Sequence, residues 1–249
     1  MGNRLVLVIL CLTGSLTAQA ADSGQGRARS LACQACHGSA GVGTAPDIPN
    51  LAGQKAGYLE AQLVAFRAKD RKHDLMNAIA AQLSDADIGN LAAFWSSLPA
   101  AGPPDPHGAA DPAAEFRKSR MSFPATFPKD FVVYDEEMNG KNQTVKRSYA
   151  NRVALNAARA GKSLPAGSAI VVENYADKQV TSYAAMESRA GWGDGIPDLL
   201  RNGDWSYALF DGTKNLRADF NYARCLACHK PVADSSYVFG LKKVAAARQ

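Results

Sequence analysis

The sequence predicts a two-domain protein, with an all-α domain first and an α+β domain containing an antiparallel sheet second. Five of the twelve prolines lie within positions 99–112. Because proline removes a backbone donor and fixes φ, we interpret residues 100–113 as a linker. Before this linker the apolar residues recur at helical spacing, whereas after it they form short β-branched or aromatic runs. The chain therefore divides into residues 21–99 and residues 114–249.

Residues 1–20 have the composition of an export signal. Arg4 is the only charged residue, an apolar core follows at 5–16, and positions 18 and 20 supply small residues for cleavage. The apolar core of about 12 residues is shorter than the ~20 residues that span a bilayer. Cleavage also removes Cys11 and leaves four cysteines. We therefore expect a periplasmic mature chain with no stable membrane span.

Two helices are predicted in the first domain. The first is indicated by apolar spacing of three and four residues ahead of a charged run, at Tyr58, Leu59, Gln62, Leu63 and Phe66. The second begins after Ser84, because Asp87 three positions later completes a reciprocal capping pair. Pro99 ends this second helix.

The second domain has the pattern of short strands separated by turn residues. The strands are predicted at Phe131–Tyr134, Ala169–Tyr175, Val180–Ala184 and Trp205–Phe210, with one helix at Asn151–Ala160. The connections are short, and short connections join antiparallel rather than parallel neighbours. This domain is therefore predicted to be α+β.

Two Cys-x-x-Cys-His motifs indicate the chemistry of the protein. They are Cys33-Gln34-Ala35-Cys36-His37 and Cys225-Leu226-Ala227-Cys228-His229, with the spacing of covalent haem attachment. Two residues between the thiols place both sulfurs near the vinyl groups of one porphyrin, and the next residue brings its imidazole to the iron. A thioredoxin-like dithiol, a four-cysteine zinc site and plain disulfides are the competing interpretations. Since the chain has only four histidines, a histidine directly after both pairs favours two covalently bound haem c groups, with His37 and His229 as iron ligands.

An iron held by His37 needs a sixth ligand or has an open position. Between His37 and Pro99 the only histidine and methionine are His73 and Met76, both in the polar stretch 69–77. That stretch is expected to loop across the haem face opposite His37. The alternatives are that His73 is a solvated loop residue and Met76 an ordinary core residue.

Residues 24–99 resemble a class I monohaem cytochrome c. The matching features are Cys-Gln-Ala-Cys-His-Gly at 33–38, Pro-Asn-Leu-Ala-Gly-Gln at 49–54, Tyr-Leu-Glu-Ala-Gln-Leu-x-x-Phe-Arg at 58–67, Met76, and Leu-Ser-Asp-Ala-Asp-Ile-x-x-Leu-Ala-Ala-Phe at 83–94. The resemblance implies the all-α class I fold and Met76 as the axial ligand opposite His37. It also implies that the Pro49 carbonyl accepts the proximal histidine N–H. A methionine ligand raises the potential of an electron carrier.

Residues 124–241 resemble the cytochrome c′-beta family and the hydroxylamine-oxidising cytochromes whose haem carries a lysine crosslink. The matching segments are Phe127–Phe131, Tyr149–Asn151, Leu164–Ser168, Ile170–Glu173, Gly203–Ala208, the second motif and Tyr237–Phe239. Only 20 residues follow His229, whereas the motif opens a class I domain, so a tandem of two class I domains is excluded. In this register the crosslinking lysine falls on Val172, which has no amine. The resemblance therefore implies an ordinary haem c and argues against hydroxylamine oxidation.

Several residues are available for the sixth position of the second iron, namely Met121, Met138, Met186 and, in the linker, His107. The family resemblance implies instead that His229 is the only protein ligand and faces a hydrophobic pocket. Val172 and Met186 are the candidates for that pocket, with ordinary core positions as the alternative for both. An open apolar site would admit small uncharged gases such as nitric oxide in preference to hydrated anions.

Two charged clusters have both a functional and a structural interpretation. The basic run Arg117-Lys118-Ser119-Arg120 would dock an acidic redox partner, or is a solvated face. The second cluster surrounds the glycines of 191–195 and would flank a haem edge or its propionates, or forms turns; it comprises Glu187, Arg189, Asp194 and Arg201. The net charge of +5 without a basic stripe argues against nucleic-acid binding.

Taken together, these features favour a periplasmic dihaem cytochrome that exchanges electrons with a redox partner protein. One alternative is an oxidoreductase that acts on a small nitrogen oxide, hydroxylamine or peroxide at the second haem. Another is nitric oxide binding or sensing without turnover. Against an enzyme, the sequence shows no clear acid–base pair near the expected pocket. A homodimer through the C-terminal domain is a further expectation.

Overall fold

The computed structural model describes residues 20–100, 111–141 and 143–248. The predicted export signal and most of the predicted linker lie outside these residues, and so do Cys11 and His107. Within the described ranges, no helix combines the length and the hydropathy needed to cross a membrane.

Five helices make up the first domain within residues 20–100, in agreement with the all-α prediction. They are α1 (Ser23–Arg29), α2 (Leu31–His37), α3 (Ala56–Ala68), α4 (Asp74–Ala80) and α5 (Asp85–Ser97). In the core, Leu91 and Trp95 of α5 are almost fully buried. Helix α1 crosses α5 so closely that a Cβ at Gly26 would lie 2.0 Å from the Asn90 carbonyl oxygen. Glycine is therefore required at this crossing.

Helix α5 has the ends that the sequence predicts. Ser84 Oγ accepts the Asp87 N–H at 3.1 Å, and the Asp87 carboxylate accepts the Ser84 N–H at 2.9 Å, so the capping box is complete. The helix ends at Ser97, two residues before Pro99. The predicted first helix is α3, which includes the whole predicted period from Tyr58 to Phe66.

Residues 69–77, predicted as a polar loop, instead include the start of a helix. Helix α4 begins at Asp74, because His73 Nδ1 accepts the Met76 N–H at 3.3 Å and caps the first turn. The Asp74 carboxylate in that turn also complements the helix dipole. The loop prediction is therefore wrong for residues 74–77, and Met76 lies in the first turn of a helix.

The second domain combines one antiparallel sheet with helices, and its described residues confirm the predicted α+β class. The elements are β1 (Phe131–Met138), β2 (Thr144–Asn151), α6 (Arg152–Arg159), β3 (Ala169–Ala176), β4 (Gln179–Ser188), β5 (Trp205–Asp211), α7 (Ala223–His229) and α8 (Leu241–Ala246). Each strand pairs with the next one in the chain, so the sheet order is β1-β2-β3-β4-β5.

Strand β2 is not indicated by the sequence pattern. Its charged residues form ion pairs across to β1, with Arg147 2.6 Å from Glu136 and Lys146 3.2 Å from Glu137. Such cross-strand pairs stabilise a hairpin without producing the apolar alternation by which strands are recognised. Strand β1 correspondingly extends beyond its predicted end at Tyr134.

The two faces of the sheet have different partners. One face carries Val171 and is covered by the chain segment that contains Phe127. On the opposite face, a row of directly paired residues consists of Ile170 on β3, Met186 on β4 and Tyr207 on β5. This second face packs against α6, α7 and α8. Because α7 carries the second motif, we call it the motif face.

Helix α7 also contacts the first domain. It packs against α2 and α4, and Arg224 on α7 forms an ion pair with Asp47. Further along the interface, Gln82 Nε2 donates to the Leu199 carbonyl at 3.2 Å. The two domains therefore share an interface that the proline-rich linker by itself does not indicate.

Candidate haem sites

The first motif lies on helix α2. Cys33, Cys36 and His37 occupy positions i, i+3 and i+4 of this helix, so their side chains share one face. Both thiols are unlinked. His37 Nδ1 lies 2.8 Å from the Pro49 carbonyl oxygen, the contact that the class I resemblance implies. With Nδ1–H donated to that carbonyl, Nε2 carries the lone pair available to a metal.

Burial determines the protonation of these groups. It lowers the pKa of His37, which is 8% exposed, and it raises the pKa of Cys33 to about 12. Burial also raises the pKa of Cys36, opposed by the nearby Arg224 and Arg117 cations. The His37 imidazole is therefore neutral at pH 7, which is the form that binds a metal.

A largely apolar cavity of about 280 Å³ lies beside His37. His73 and Met76, the two candidates for the sixth ligand, both line it. Met76 is half-buried, whereas His73 is exposed and already uses Nδ1 to cap α4. The structure thus brings both candidates to the cavity of His37 and encloses Met76 more fully.

The second motif lies on helix α7 and repeats the arrangement of the first. Its two thiols are unlinked, and His229 Nδ1 lies 2.7 Å from the Tyr237 carbonyl oxygen. The His229 ring has the Tyr207 ring on one side at 4.6 Å and the Phe239 ring at 4.8 Å, both measured between centroids. Burial lowers the pKa of His229. This imidazole is therefore also neutral at pH 7 and held by a backbone carbonyl.

The two cysteines of the second motif differ in exposure. Cys225 is partly buried, and burial raises its pKa to about 12. Cys228 is exposed, and so is 51% of Phe239 beside the histidine ring. The second motif is therefore open to solvent at one edge.

The carbonyl that holds His229 belongs to a turn with a left-handed backbone. Ser236 and Tyr237 have φ of 53° and 61°, values that residues other than glycine rarely adopt. Ser236 Oγ accepts the Leu164 N–H at 3.1 Å, and the Tyr237 N–H donates to the Val232 carbonyl at 3.0 Å. Sequence analysis finds Tyr237 only within a matching segment, because a backbone carbonyl has no side-chain signature.

Asn202 fixes α7 to the sheet and was also missed by sequence analysis. Its side chain is fully buried, and its Nδ2 donates to Tyr207 Oη and to the Leu226 carbonyl, each at 2.9 Å. The first bond reaches the motif face and the second reaches the motif helix. A single asparagine in a turn gives no periodic signal from which this role could be found.

Val172 and Met186 both lie on the motif face, as the pocket hypothesis requires. The strand register aligns Ser148, Val172, Ala184 and Leu209, which we call the Val172 row, next to the row of Tyr207. Val172 is half-buried, whereas Met186 is 5% exposed and belongs to the core. Beside this row, burial raises the pKa of Tyr134 to about 12, and the nearby Ser148 side chain opposes part of that rise.

The other methionines of the second domain lie elsewhere. Met121 packs on the sheet face opposite the motif face and is 5% exposed. Met138, predicted in a loop, ends strand β1 and is 56% exposed. Of the three candidates, only Met186 therefore packs on the face that contacts His229.

Both charged clusters engage in local contacts. Their ion pairs are Arg117 with Asp111, Lys118 with Glu115, Glu187 with Arg189, and Asp194 with Arg201. Arg120 donates to the Trp192 carbonyl oxygen at 2.6 Å. These contacts support the structural interpretation of both clusters.

The donor atoms present fit haem c better than the competing interpretations. Each motif offers two unlinked thiols and a carbonyl-held imidazole on one short helix. None of the four motif cysteines is joined in a disulfide. Within residues 20–100, 111–141 and 143–248, no three His, Cys, Asp or Glu side chains are arranged to hold a metal ion. A four-cysteine zinc site is therefore not supported.

Comparison with known proteins gives one family for each domain. Residues 124–240 match the family Cytochrome P460, and residues 19–94 match the family described as cytochrome c oxidase, cbb3-type, subunit III. Both matches agree with the two resemblances found in the sequence.

Similar curated proteins include two cytochromes and an electron acceptor. Cytochrome c-554(548) of Halomonas halodenitrificans is 46% identical over 81 residues, which cover 31% of this chain and 98% of that protein. Cytochrome c4 of Pseudomonas aeruginosa is 36% identical, in a match that covers 48% of this chain and 61% of that protein. The thiosulfate dehydrogenase electron acceptor of Stutzerimonas stutzeri is 45% identical, in a match that covers 26% of this chain and 32% of that protein. The chain thus spans less than two thirds of the last two proteins.

Among solved structures, a cytochrome c4 from Acidithiobacillus ferrooxidans is similar at 38% identity and a TM-score of 0.31. The match covers 34% of this chain and 54% of that one. The similarity is confined to about a third of the molecule.

Proposed function

We propose that this chain, which belongs to the cytochrome c family and joins a class I domain to a Cytochrome P460 domain, is an exported electron carrier. One of its two haems is proposed to have both axial positions filled by side chains, and the other to keep one axial position open. The chain binds two covalently attached haem c groups, and its relatives support electron transfer. The individual ligands, the two coordination states and the periplasmic location form the proposal.

At the first site we assign Cys33 and Cys36 to attachment, and His37 and Met76 to the two axial positions. The observation that carries this assignment is the cavity shared by His37 and Met76. His73 already caps α4 through Nδ1, which favours Met76. The largely apolar walls of the cavity suit the apolar faces of a porphyrin.

At the second site we assign Cys225 and Cys228 to attachment and His229 as the only axial ligand. Met186 is packed in the core, and the neighbouring Val172 row offers the side chains of serine, valine, alanine and leucine. None of these four is an axial ligand in haem proteins. The second iron is therefore proposed to keep an open position.

Each haem supplies an iron that changes between the ferrous and ferric states and so carries one electron. The chain's own contribution is to orient the two imidazoles. By accepting the Nδ1–H, the Pro49 and Tyr237 carbonyls fix the tautomer and the ring orientation and increase the basicity of Nε2.

The electron partner is proposed to be a periplasmic oxidoreductase. One similar protein is named as a thiosulfate dehydrogenase electron acceptor, and we extend the role of acceptor to this chain without extending the substrate. A homodimer through the C-terminal domain stays a prediction.

Resonance Raman and EPR spectra of the ferric dihaem protein test the proposal. We expect one six-coordinate low-spin haem and one five-coordinate high-spin haem in equal amounts. Two low-spin haems would show that a second protein ligand reaches the iron beside His229. A single haem per chain would contradict the assignment of both motifs.

A second candidate function is nitric oxide binding at the second haem, favoured by the apolar Val172 row. The four side chains of the row include no carboxylate or imidazole, and the carboxylate of Asp135, which pairs with Ser148 from β1, is held by Lys243 at 2.8 Å. The Tyr134 hydroxyl, with a pKa of about 12, holds its proton at neutral pH. Binding without turnover therefore fits better than acid–base catalysis. Mixing the reduced protein with nitric oxide should change the spectrum of the second haem only. Steady turnover of hydroxylamine or peroxide would instead favour an enzyme.

A further inference from the structure

We propose that Asn221 and Arg224 are positioning residues that dock the second motif helix against the first motif, so that electrons pass between the two haems within one chain. The inference rests on the proposed dihaem electron transfer and adds the path between the two sites. One electron leaves one site and is gained by the other, without a diffusing carrier in between.

Asn221 connects the two motifs directly. Its Nδ2 donates to the Ala35 carbonyl at 2.8 Å, inside the first motif, and lies 3.7 Å from Cys36 Sγ. Its Oδ1 accepts the Ala223 N–H at 3.1 Å, at the start of the second motif helix. The two ends of one amide therefore contact both haem-attachment segments.

Arg224 forms the second interdomain contact, an ion pair with Asp47. Asp47 precedes by two residues the Pro49 carbonyl that holds His37. Both partners are partly exposed, so the pair adds little to overall stability. Its position, between the proximal loop of one site and the motif helix of the other, suits it for setting orientation.

The second domain also completes the wall of the first cavity. Leu200, Ala223, Arg224 and Ala227 line the same cavity as His37. Ala223 and Ala227 are buried, four residues apart on α7, and residues so spaced share one face of a helix. Their small side chains let α7 approach α2 closely. The first haem site is therefore closed by the helix that carries the second.

A tether and a docked interface make different contributions to electron transfer. A tether raises the effective concentration of one domain near the other but does not fix their orientation. Contacts at the motif helices do fix it, because both cofactors are attached to those helices. We therefore expect the interdomain contacts to control the rate between the haems.

The test uses the full dihaem protein, four interface variants and one control variant. Asn221→Ala removes both contacts of the amide, whereas Asn221→Asp keeps the acceptor for Ala223 and loses the donor to Ala35. Arg224→Glu breaks the ion pair, and the double variant Arg224→Glu with Asp47→Arg restores it in reverse. Asn156→Ala, at an exposed position of α6, is the matched control. Haem content is first measured to be two per chain in each protein.

Interdomain opening is measured by hydrogen exchange of the α2 and α7 amides. Asn221→Ala should raise the opening constant about fivefold, the factor expected for loss of one hydrogen bond, here the interdomain bond to the Ala35 carbonyl. Asn221→Asp and Arg224→Glu should also raise it, and the charge-reversed pair should return it toward the parent value. The control should not change it.

Electron redistribution is measured after a photochemical reductant delivers less than one electron per chain. In the parent protein the redistribution should be first order and independent of protein concentration, and it should slow in the variants that raise opening. Unchanged exchange and rate in Asn221→Ala and Arg224→Glu would overturn the inference. A parent protein with two haems but no electron redistribution would instead contradict the proposed function. The hydrogen-exchange data would still show whether Asn221 and Arg224 hold the two domains together. Gln82→Ala, which removes a separate interdomain bond, replaces Asn221→Ala if that variant does not fold.

Discussion

The two histidine sites have the same backbone contact at Nδ1 but different surroundings. Both imidazoles donate through Nδ1 to a backbone carbonyl, at 2.8 Å for His37 and 2.7 Å for His229. His37 then faces a cavity that Met76 also lines, whereas His229 contacts the rings of Tyr207, on the sheet, and of Phe239, which is half exposed.

The comparison separates what the motif determines from what the fold determines. Five residues of Cys-x-x-Cys-His, with one carbonyl supplied by a later loop, build the proximal half of either site. The distal half is proposed to come from the element that packs opposite, which is a short helix in one domain and a strand row in the other. The following experiments act on one site and use the other as the internal reference.

The largest expected effect is the loss of one haem. Replacing Cys225 and Cys228 by serine removes the attachment sulfurs of the second site, so the haem content should fall from two to one per chain. Pyridine haemochrome spectra and intact mass measure this. The reciprocal change at Cys33 and Cys36 should leave only the second haem. Retention of two haems in either variant would contradict the assignment.

Next in size is the loss of one ligand. Met76→Ala removes the proposed thioether, so the first haem should become high-spin and its potential should fall, since a methionine ligand raises the potential. EPR and a redox titration measure both changes, and the signal of the second haem should stay as it was. His73→Ala is the control and should keep the low-spin signal. If His73→Ala removes that signal and Met76→Ala does not, the ligand is His73.

A smaller effect is expected on the stability of the first domain alone. Gly26→Ala would place a Cβ 2.0 Å from the Asn90 carbonyl oxygen, and over-packing of this kind costs about 1–3 kcal/mol. Denaturant unfolding followed at the first haem measures it. The matched control is Gly57→Ala in α3, where a Cβ meets nothing within 4 Å. Equal stability of the two variants would mean that α1 and α5 cross less tightly than described.

The smallest effect concerns alkaline pH and the second domain. Burial raises the pKa of Tyr134 to about 12, above its ordinary value of about 10. The folded chain thus keeps a proton that the unfolded chain releases, and stability is lost as pH rises from about 10 to 12. Tyr134→Phe should lessen this loss by at most about 1.4 kcal/mol per pH unit. Urea unfolding across that range measures it, with Tyr58→Phe, at an exposed tyrosine of the first domain, as the control.

The sequence predicts secondary structure best where a local pattern is sufficient. The capping pair of Ser84 and Asp87 and the strands β3 and β5 follow from short-range rules, and the structure contains all of them. Strand β2 is not predicted, because ion pairs such as that of Arg147 with Glu136 take the place of apolar alternation. Residue types alone leave His73 and Met76 as alternatives, and only the class I resemblance favours Met76, because the capping role of His73 depends on where α4 begins.

The interdomain contacts could not be predicted for a different reason. Asn221 and Arg224 are polar residues at a surface between two domains, and polar contacts at an interface follow no sequence period. Their partners, the Ala35 carbonyl and Asp47, lie more than 170 positions away in the chain. Only the folded arrangement shows that they meet.

The closure of the first cavity by α7 limits how freely this two-domain gene could be assembled from parts. A foreign class I domain joined to the same C-terminal domain would have to bring the backbone carbonyl equivalent to that of Ala35 within reach of Asn221, and present a carboxylate opposite Arg224 as Asp47 does. Without that placement the part-buried Asn221 amide would lose its acceptor, which costs on the order of 1 kcal/mol, whereas loss of the partly exposed Arg224 pair would cost less. The two domains are thus separable in architecture but matched at their contact. Recombination would favour class I domains that already place these two acceptors at the interface.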